Sequence, residues 1–281
     1  MIKDILVHIP TERPMRPVID ASISIAAAFG AHLDALAIGY VSTGGAAYPV
    51  DGGAATAVAT FLEIEQERAI ERAMTALSVF DTEARLAGIP YESRAAADVP
   101  AEAAAAIGSA ARLYDLAVVL QPEAKLQTFD NSIPTEILFQ AGGPVLFIPH
   151  IFRGVFAAKR IGICWDGSRL AARAVRDAKP FLAQADALVA ISINGANSAP
   201  ADASAEKLAS HLARGGLPIK IIDLPSTRSD IQPSILSLAA DENLDMLVMG
   251  AYGHSRLQEG ILGGVTREML RTMTVPTLMS H

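Results

Sequence analysis

The chain has 281 residues, of which 51% are hydrophobic and 19% are charged, and its net charge at pH 7 is −7. This length exceeds that of a usual single domain, and the composition is that of a folded globule. We therefore expect two medium domains or one large domain, and no extensive disorder. Acidic residues are concentrated in the first 150 positions and no basic stripe is present, which argues against a nucleic-acid partner.

The amino-terminal stretch MIKDILVHIP has the pattern of a charged strand and not of a secretion signal. No run of about 18 apolar residues is free of charges and turn signals, so we expect no membrane-spanning helix. The single cysteine, Cys164, has no partner for an internal disulfide. Together these features predict a cytoplasmic protein without membrane contact.

In the first half, short apolar runs alternate with longer helical patterns, which is typical of βαβ units and a parallel sheet. The predicted strands are 3–9, 33–41, 89–94, 115–120 and 144–148. The predicted helices include 17–29 and a long one at 56–87. The glycine-rich stretch 42–53 before the long helix predicts a mobile loop.

The second half repeats the order of the first after a crossing segment at 150–158. Its predicted strands are 160–165, 186–193, 218–224, 245–249 and 275–280, and its predicted helices include 168–183 and 202–214. Equivalent landmarks recur, such as the runs that begin at Asp115 and Asp245, so we interpret the chain as a tandem duplication with domains at 1–150 and 159–281. We expect strands 144–148 and 275–280 to pair across a pseudo-twofold axis, because each would otherwise be an exposed sheet edge.

A glycine-rich connector follows the strand at 245–249. Gly250 ends that strand, Gly253 follows, and the pair Gly263-Gly264 precedes an amphipathic helix. Glycines after a strand allow the backbone to approach a ligand, and bare amides at a helix start favour an anion. The connector therefore predicts a phosphate site, although glycines in such places also serve turns and caps alone.

The spacing Gly-x2-Gly-x9-Gly, together with Trp165-Asp166-Gly167-Ser168 after the first strand of this half, resembles the nucleotide motif of the universal stress protein family. The resemblance covers both halves, so the chain resembles a tandem universal stress protein. It implies an α/β fold of two tandem open parallel five-stranded sheets with helices on both faces and strand order 3-2-1-4-5. It also implies ATP binding, which a subset of the family shows.

The resemblance assigns roles by position in the second half. Asp166 would face the adenosine end of ATP, and the backbone of Ser192 or Ile193 would face the adenine. The residues implied to contact ribose and phosphates are Gly250, Gly253, Gly263, Gly264, Val265 and Thr266. His254 lies in the connector, where it would either meet the γ-phosphate or remain in solvent. Gly264 departs from the family pattern, which usually has Ser or Thr at this position, and Thr266 could supply the missing hydroxyl.

The first half departs further from the motif. The residues that align with the motif positions there are Pro10, Leu120, Glu123, Asn131 and Ser132. A carboxylate at Glu123 would repel phosphate, so we expect no ATP in this degenerate half, whose role would be structural pairing or binding of something uncharged. His8 and His32 have no second ligand at metal spacing, and we interpret both as satisfied structural histidines. Cys164 is interpreted as a buried small hydrophobe.

The resulting hypothesis is a nucleotide-responsive switch or regulator in stress response, with ATP, alone or with Mg²⁺, in the second half. We expect an unknown protein partner and regard dimers of whole chains as an open alternative. A weak ATP hydrolase or adenylate-transferring enzyme and a nucleotide-free scaffold also remain open. No catalytic residues are assigned, because the P-loop pattern and the Gly-x-Ser-x-Gly pattern are both missing from the sequence.

Overall fold

A computed structural model describes residues 1–42, 52–194, 199–227, 229–251 and 264–281, with the backbone alone for 52–57. These residues contain ten strands. In chain order they are β1 Asp4–Ile9, β2 His32–Tyr40, β3 Tyr91–Asp98, β4 Leu116–Leu120, β5 Val145–Ile148, β6 Arg160–Cys164, β7 Ala187–Ile193, β8 Lys220–Leu224, β9 Met246–Gly250 and β10 Thr277–Ser280. All ten overlap the strands predicted from the sequence.

The strands form one continuous sheet with the order β3-β2-β1-β4-β5-β10-β9-β6-β7-β8. Each half has the expected order 3-2-1-4-5, and all pairs within a half are parallel. The prediction of two separate sheets is wrong, because β5 and β10 pair antiparallel and join the halves, with Leu146 opposite Leu278. The predicted pairing of the two final strands is thereby confirmed.

Helices cover both faces of the sheet. One face carries α1 Arg16–Phe29, α2 Gly52–Ala87, α5 Arg169–Asp177, α6 Lys179–Leu182 and α7 Ala205–Arg214. The other carries α3 Pro100–Ala110, α4 Ile133–Gln140, α8 Ile231–Asp241 and α9 Val265–Thr272. Alternate residues of each central strand enter opposite hydrophobic clusters, as Leu6 and Val7 do in β1. Strands buried on both faces explain the nearly continuous apolar runs in the sequence.

Two boundaries differ from those predicted. The segment 168–183 is two helices, because α5 ends at Asp177 and Pro180 lies in the first turn of the short α6. The long helix α2 begins at Gly52, so the end of the predicted loop is helical, and residues 43–51 lie outside the described residues. None of the described helices combines the length and the apolar character that crossing a membrane requires.

An aspartate before the fourth strand of each half holds the start of the first strand. Asp115 Oδ2 accepts hydrogen bonds from Lys3 N at 2.7 Å and Asp4 N at 3.2 Å. The carboxylate of Asp245 accepts from Lys159 N at 2.9 Å and from Arg160 N at 3.0 Å. The same side chain therefore satisfies the amides that begin the first strand of each half, which supports a duplication of one unit.

Candidate functional site

The carboxyl ends of β6, β7 and β9 lie at one edge of the second half, with β6 between the other two. Asp166 follows β6, Ser192 is the penultimate residue of β7, and Gly250 ends β9. The structure therefore brings these three predicted residues to one edge. The crevice between the first and fourth strands of such a sheet, where the strand order reverses, is the usual ligand position in this architecture.

Three other predicted residues, Gly253, His254 and Gly263, lie outside the described residues. The described part of the site resumes at Gly264, Val265 and Thr266, which begin α9. Because α9 connects β9 to its parallel neighbour β10, it starts at the edge where β9 ends. Gly264 has an extended backbone (φ −66°, ψ 145°) and is the N-cap of the helix, with no side chain to accept from the first amides.

The loop after β6 is held by contacts within the chain. Asp166 is exposed, and its Oδ1 accepts a hydrogen bond from Ser168 N at 2.9 Å. Ser168 in turn caps α5, where its Oγ accepts from Ala171 N at 3.1 Å. Trp165 is buried and donates from Nε1 to Ala203 O at 2.8 Å. Asp166 therefore has a turn-forming role in the structure, and one carboxylate oxygen is already used in it.

Gly167 is required by the backbone of this loop. Its φ is +72°, in the left-handed region that favours glycine, and a Cβ there would lie 2.9 Å from Ala203 O and 3.0 Å from Pro200 Cδ. The segment around Ala203 thus packs directly over the loop after β6. The chain's own backbone covers part of the edge where the resemblance places adenosine.

Gly250 also has a packing role. A Cβ at this position would lie 2.6 Å from Ala171 N and 2.7 Å from Leu170 C, which belong to the first turn of α5. The glycine therefore lets β9 and α5 approach closely. Its place after a strand is explained by this contact before any ligand is considered.

Ser192 is buried and its Cα is in register with Asp223 of β8. In a parallel strand the N–H and C=O of one residue point the same way, and they alternate from residue to residue. Ile191 O accepts from Trp165 N on the β6 side, whereas Asn194 N donates to Leu224 O on the β8 side. The backbone of Ser192 therefore faces β8, and of the two residues considered for adenine, Ile193 has its backbone on the β6 side.

Cys164 ends β6 and is partly buried. Loss of water around the thiol, together with the nearby Asp166 carboxylate, raises the pKa of Cys164 to about 12. The thiol stays protonated at neutral pH, so it lacks the thiolate that nucleophilic or redox chemistry requires.

The equivalent edge of the first half is filled by a buried polar cluster. Asp130 Oδ1 accepts a hydrogen bond from the Tyr40 hydroxyl at 2.8 Å, and Oδ2 accepts from Glu12 N at 2.8 Å. His8 lies beside it, with Nε2 3.9 Å from Asp130 Oδ1. Burial raises the pKa of both Asp130 and Tyr40, and burial with the charge of Arg13 lowers the pKa of His8 to about 3. His8 is therefore neutral in the folded protein.

Arg13 and Asn131 close the loop in the same place. Arg13 Nη2 donates to Gln121 O at 2.5 Å and Nη1 donates to Asn131 Oδ1 at 3.1 Å. The Asn131 side chain also accepts from Glu123 N and donates to the carbonyls of Glu123 and Leu126. Asn131 aligns with Gly263 of the second half. Where the second half has a glycine, the first half has a side chain that uses its hydrogen-bonding groups to hold its own loop.

Among the described residues, contacts with the first half hold both α9 and the end of β9. Gln121 is buried, and its Nε2 donates to Leu270 O in α9 at 3.0 Å. His281 Nδ1 is 3.0 Å from Ala251 O, directly after β9, and its ring packs edge-on against Phe139 of α4 with centroids 4.9 Å apart. Both the helix and the strand that border the glycine connector are therefore anchored on the other half.

Two interpretations of histidines require correction. Within the described ranges, His8 Nε2 is buried without a hydrogen-bond partner, so His8 is not a satisfied histidine. His32 does have neighbours at metal spacing, because Asp34 lies two residues along the same strand and Glu92 lies on the adjacent one. Sequence spacing missed both, since the contacts depend on strand register and on residues about 120 positions away.

The fold is that of a doubly wound α/β protein, an architecture whose ligands usually bind at the carboxyl ends of the strands. Residues 157–281 match the model of the Universal stress protein family. Over its second half, the chain is therefore similar to universal stress protein domains.

Individual relatives agree with this assignment. Universal stress protein Slr1230 of Synechocystis sp. is 36% identical over 47 residues, which is 17% of this chain and 16% of the length of that relative. A crystal structure of a universal stress protein from Archaeoglobus fulgidus aligns over 98% of this chain and 95% of its own, with 17% identity and a TM-score of 0.71. A putative universal stress protein from Pseudomonas aeruginosa aligns over 99% and 93%, with 16% identity and a TM-score of 0.56. At these identities, the two structures show a shared fold that extends over both halves.

Proposed function

We propose that the second half of the chain, residues 159–281, binds ATP at the carboxyl edge of β6, β7 and β9. We further propose that the protein acts as a nucleotide-responsive switch and not as a metabolic enzyme. The first half, residues 1–150, is then a degenerate copy of the same domain. The observation that carries the proposal is Gly264 at the N-cap of α9, in a domain that matches the universal stress protein family.

The start of α9 has the properties that a phosphate group needs. The first turn of a helix presents backbone amides that lack an intrahelical partner, and the helix dipole favours a negative charge there. Gly264 adds no side chain in front of these amides. The Thr266 hydroxyl lies in the same turn, where the resemblance would use it for the phosphate chain, although the side chain is buried.

The contacts of α9 with the first half support a switch. The helix begins at the candidate site, and near its other end Leu270 O accepts from the buried Gln121. A shift of α9 on nucleotide binding would change this contact. The same shift would strain the sheet junction beyond it. Nucleotide binding would in this way change the conformation of the first half, where a protein partner could recognise the change.

A nucleotide-free scaffold is the second candidate, because two of the glycines have structural explanations. Gly250 allows close packing of α5, and Gly167 has a left-handed backbone under Ala203. A scaffold predicts no affinity for nucleotide, whereas the switch predicts binding that depends on the start of α9. The two hypotheses therefore differ in one measurable quantity.

The test is calorimetric titration of the full chain with ATP, with and without Mg²⁺, for the wild type and the variant Gly264→Asp. The extended backbone at residue 264 accepts aspartate, which is also a favoured N-cap, so the variant keeps its fold. Its carboxylate faces the phosphates, and repulsion of about 1–3 kcal/mol would weaken ATP binding by about tenfold or more. Gly264→Asn separates charge from size, and we expect it to weaken binding less.

The matched control is Ser132→Asp, which places the same charge at the N-cap of α4, the equivalent position of the first half. We expect it to leave ATP affinity unchanged, because the first half is proposed to bind no ATP. No binding by the wild type at millimolar ATP would refute the switch and favour the scaffold. Steady phosphate release that is lost in Asp166→Asn would instead favour the enzyme alternative.

A further inference from the structure

Three side chains with metal-binding atoms share one face of the sheet in the first half, at the edge where its strands begin. His32 and Asp34 are two residues apart in β2, so both point to the face covered by α3 and α4. Asp34 is in register with Glu92 of β3, which places the glutamate on the same face. Parallel pairing thus brings together one imidazole and two carboxylates from positions about 60 residues apart.

The distances suit a small divalent cation. His32 Nε2 is 3.3 Å from Asp34 Oδ1, and the ligand atoms of all three residues lie within 4.8 Å of one another. Ligand atoms about 2.0–2.2 Å from a tetrahedral zinc ion stand roughly 3.3–3.5 Å apart. The first pair already has this spacing. Glu92 is exposed, so rotation of its side chain can close the remaining gap.

A tyrosine orients one of the two carboxylates. The Tyr114 hydroxyl donates a hydrogen bond to Asp34 Oδ2, the oxygen that does not face His32. Metal-binding carboxylates are commonly held in this way by a hydrogen-bond donor on the outer oxygen.

The charges around the cluster favour a cation. Asp4 of β1 is in register with His32, so a third carboxylate stands on the same face. Arg94, two residues beyond Glu92 on β3, is the nearby cation that also acts on Tyr114. Among the described residues, three carboxylates against the guanidinium of Arg94 make the surroundings of His32 negative. An imidazole ligand favours zinc over magnesium or calcium, which prefer oxygen ligands alone.

We propose that His32, Asp34 and Glu92 bind one zinc ion at the amino-terminal edge of the first-half sheet. Because β5 and β10 pair antiparallel, the strands of the two halves run in opposite directions, and this edge lies on the same side of the ten-stranded sheet as the edge proposed for ATP in the second half. Three protein ligands leave the fourth tetrahedral position open to water, as in sites where zinc exchanges or acts on a bound molecule. The proposal is independent of nucleotide binding and gives the degenerate half a ligand of its own.

The experiment uses the full chain, freed of metal with a chelator and titrated with Zn²⁺ in competition with a chromogenic chelator. We expect one ion per chain, with affinity lowered at least 100-fold in His32→Ala. For Glu92→Gln, whose side chain is exposed, we expect a loss of at least tenfold without loss of folding. Tyr114→Phe is expected to lower affinity about 10-fold to 100-fold through Asp34. The matched control is His211→Ala, which removes an exposed histidine of α7 and should leave affinity unchanged.

X-ray absorption of the zinc-loaded wild type provides a second measurement that needs no variant. One imidazole nitrogen with oxygen ligands is the expected set. Equal affinity in His32→Ala and the wild type would overturn the proposal, as would an equal loss in His211→Ala. A spectrum with oxygen ligands only or with several imidazoles would do the same, and so would an absence of binding at tens of micromolar zinc.

Discussion

His8 should make the protein sensitive to acid, and the replacement His8→Gln measures how strongly. The imidazole is 1% exposed, and burial with the nearby charge of Arg13 lowers its pKa from 6.5 to about 3. Glutamine is neutral at every pH and reaches about as far as the imidazole. The variant therefore removes the titration while keeping a polar group beside Asp130.

The magnitude follows from the two pKa values. Between pH 6.5 and pH 3 the unfolded chain binds a proton at this position and the folded chain does not, so stability falls as the pH falls. Each pH unit in this window removes about 1.4 kcal/mol, so acidification from pH 7.5 to pH 5 costs about 2 kcal/mol through His8. Asp130 acts in the opposite direction, since its raised pKa makes the folded state hold a proton more tightly. It is present in both proteins, so the difference between them isolates His8.

The assay is urea unfolding followed by circular dichroism at several pH values between 5 and 7.5. We expect the wild type to lose about 2 kcal/mol more than His8→Gln over this range. The control is His211→Gln, an exposed histidine that should leave the acid dependence of the wild type unchanged. Parallel pH curves for His8→Gln and the wild type would show that His8 is charged or hydrated in the folded protein, contrary to the argument.

Two further substitutions test the close packing of the second half and the closed loop of the first. Gly250→Ala should lower the free energy of unfolding by about 1–3 kcal/mol, because its Cβ would press on the backbone of α5. Gly143→Ala, where the nearest atom would be 3.7 Å away, should change it by less than about 0.5 kcal/mol, and equal effects would contradict the packing argument. Asn131→Ala should destabilise by about 1–3 kcal/mol, because it leaves Glu123 N and Arg13 Nη1 without their acceptor. Faster proteolysis between residues 121 and 131 would report the opened loop, and cleavage at the wild-type rate would count against it.

Much of the fold was predictable from the sequence, because it depends on local patterns. Apolar runs such as Leu116–Leu120 mark strands covered on both faces, and the repeated aspartates Asp115 and Asp245 mark the same position before the fourth strand of each half. Even the pairing of the final strands followed from the physical need to cover a sheet edge. The extent of the sheet was predicted wrongly, since one antiparallel pair merges two five-stranded units into one ten-stranded sheet.

The sequence predicted where the candidate site lies but not what each of its residues does. Strand ends and glycines located Asp166, Gly250 and the start of α9 at one edge, because parallel strands end together. Their individual roles depend on what packs over them. The sequence does not distinguish a glycine that lets the backbone approach a ligand from a glycine that lets a helix pack closely. For Gly250, only the contact with α5 in the tertiary structure shows close helix packing.

By itself, the sequence determined the duplicated α/β architecture and the second half as the one that retains the motif, because hydrophobic period and glycine spacing are properties of neighbouring residues. Tertiary structure alone decided that Arg13, Asn131 and Asp130 fill the corresponding edge of the first half, and that His32 lies beside Glu92. These contacts join residues about 60 to 120 positions apart. Strand register and the folding of loops onto the sheet create them, and no local pattern encodes either.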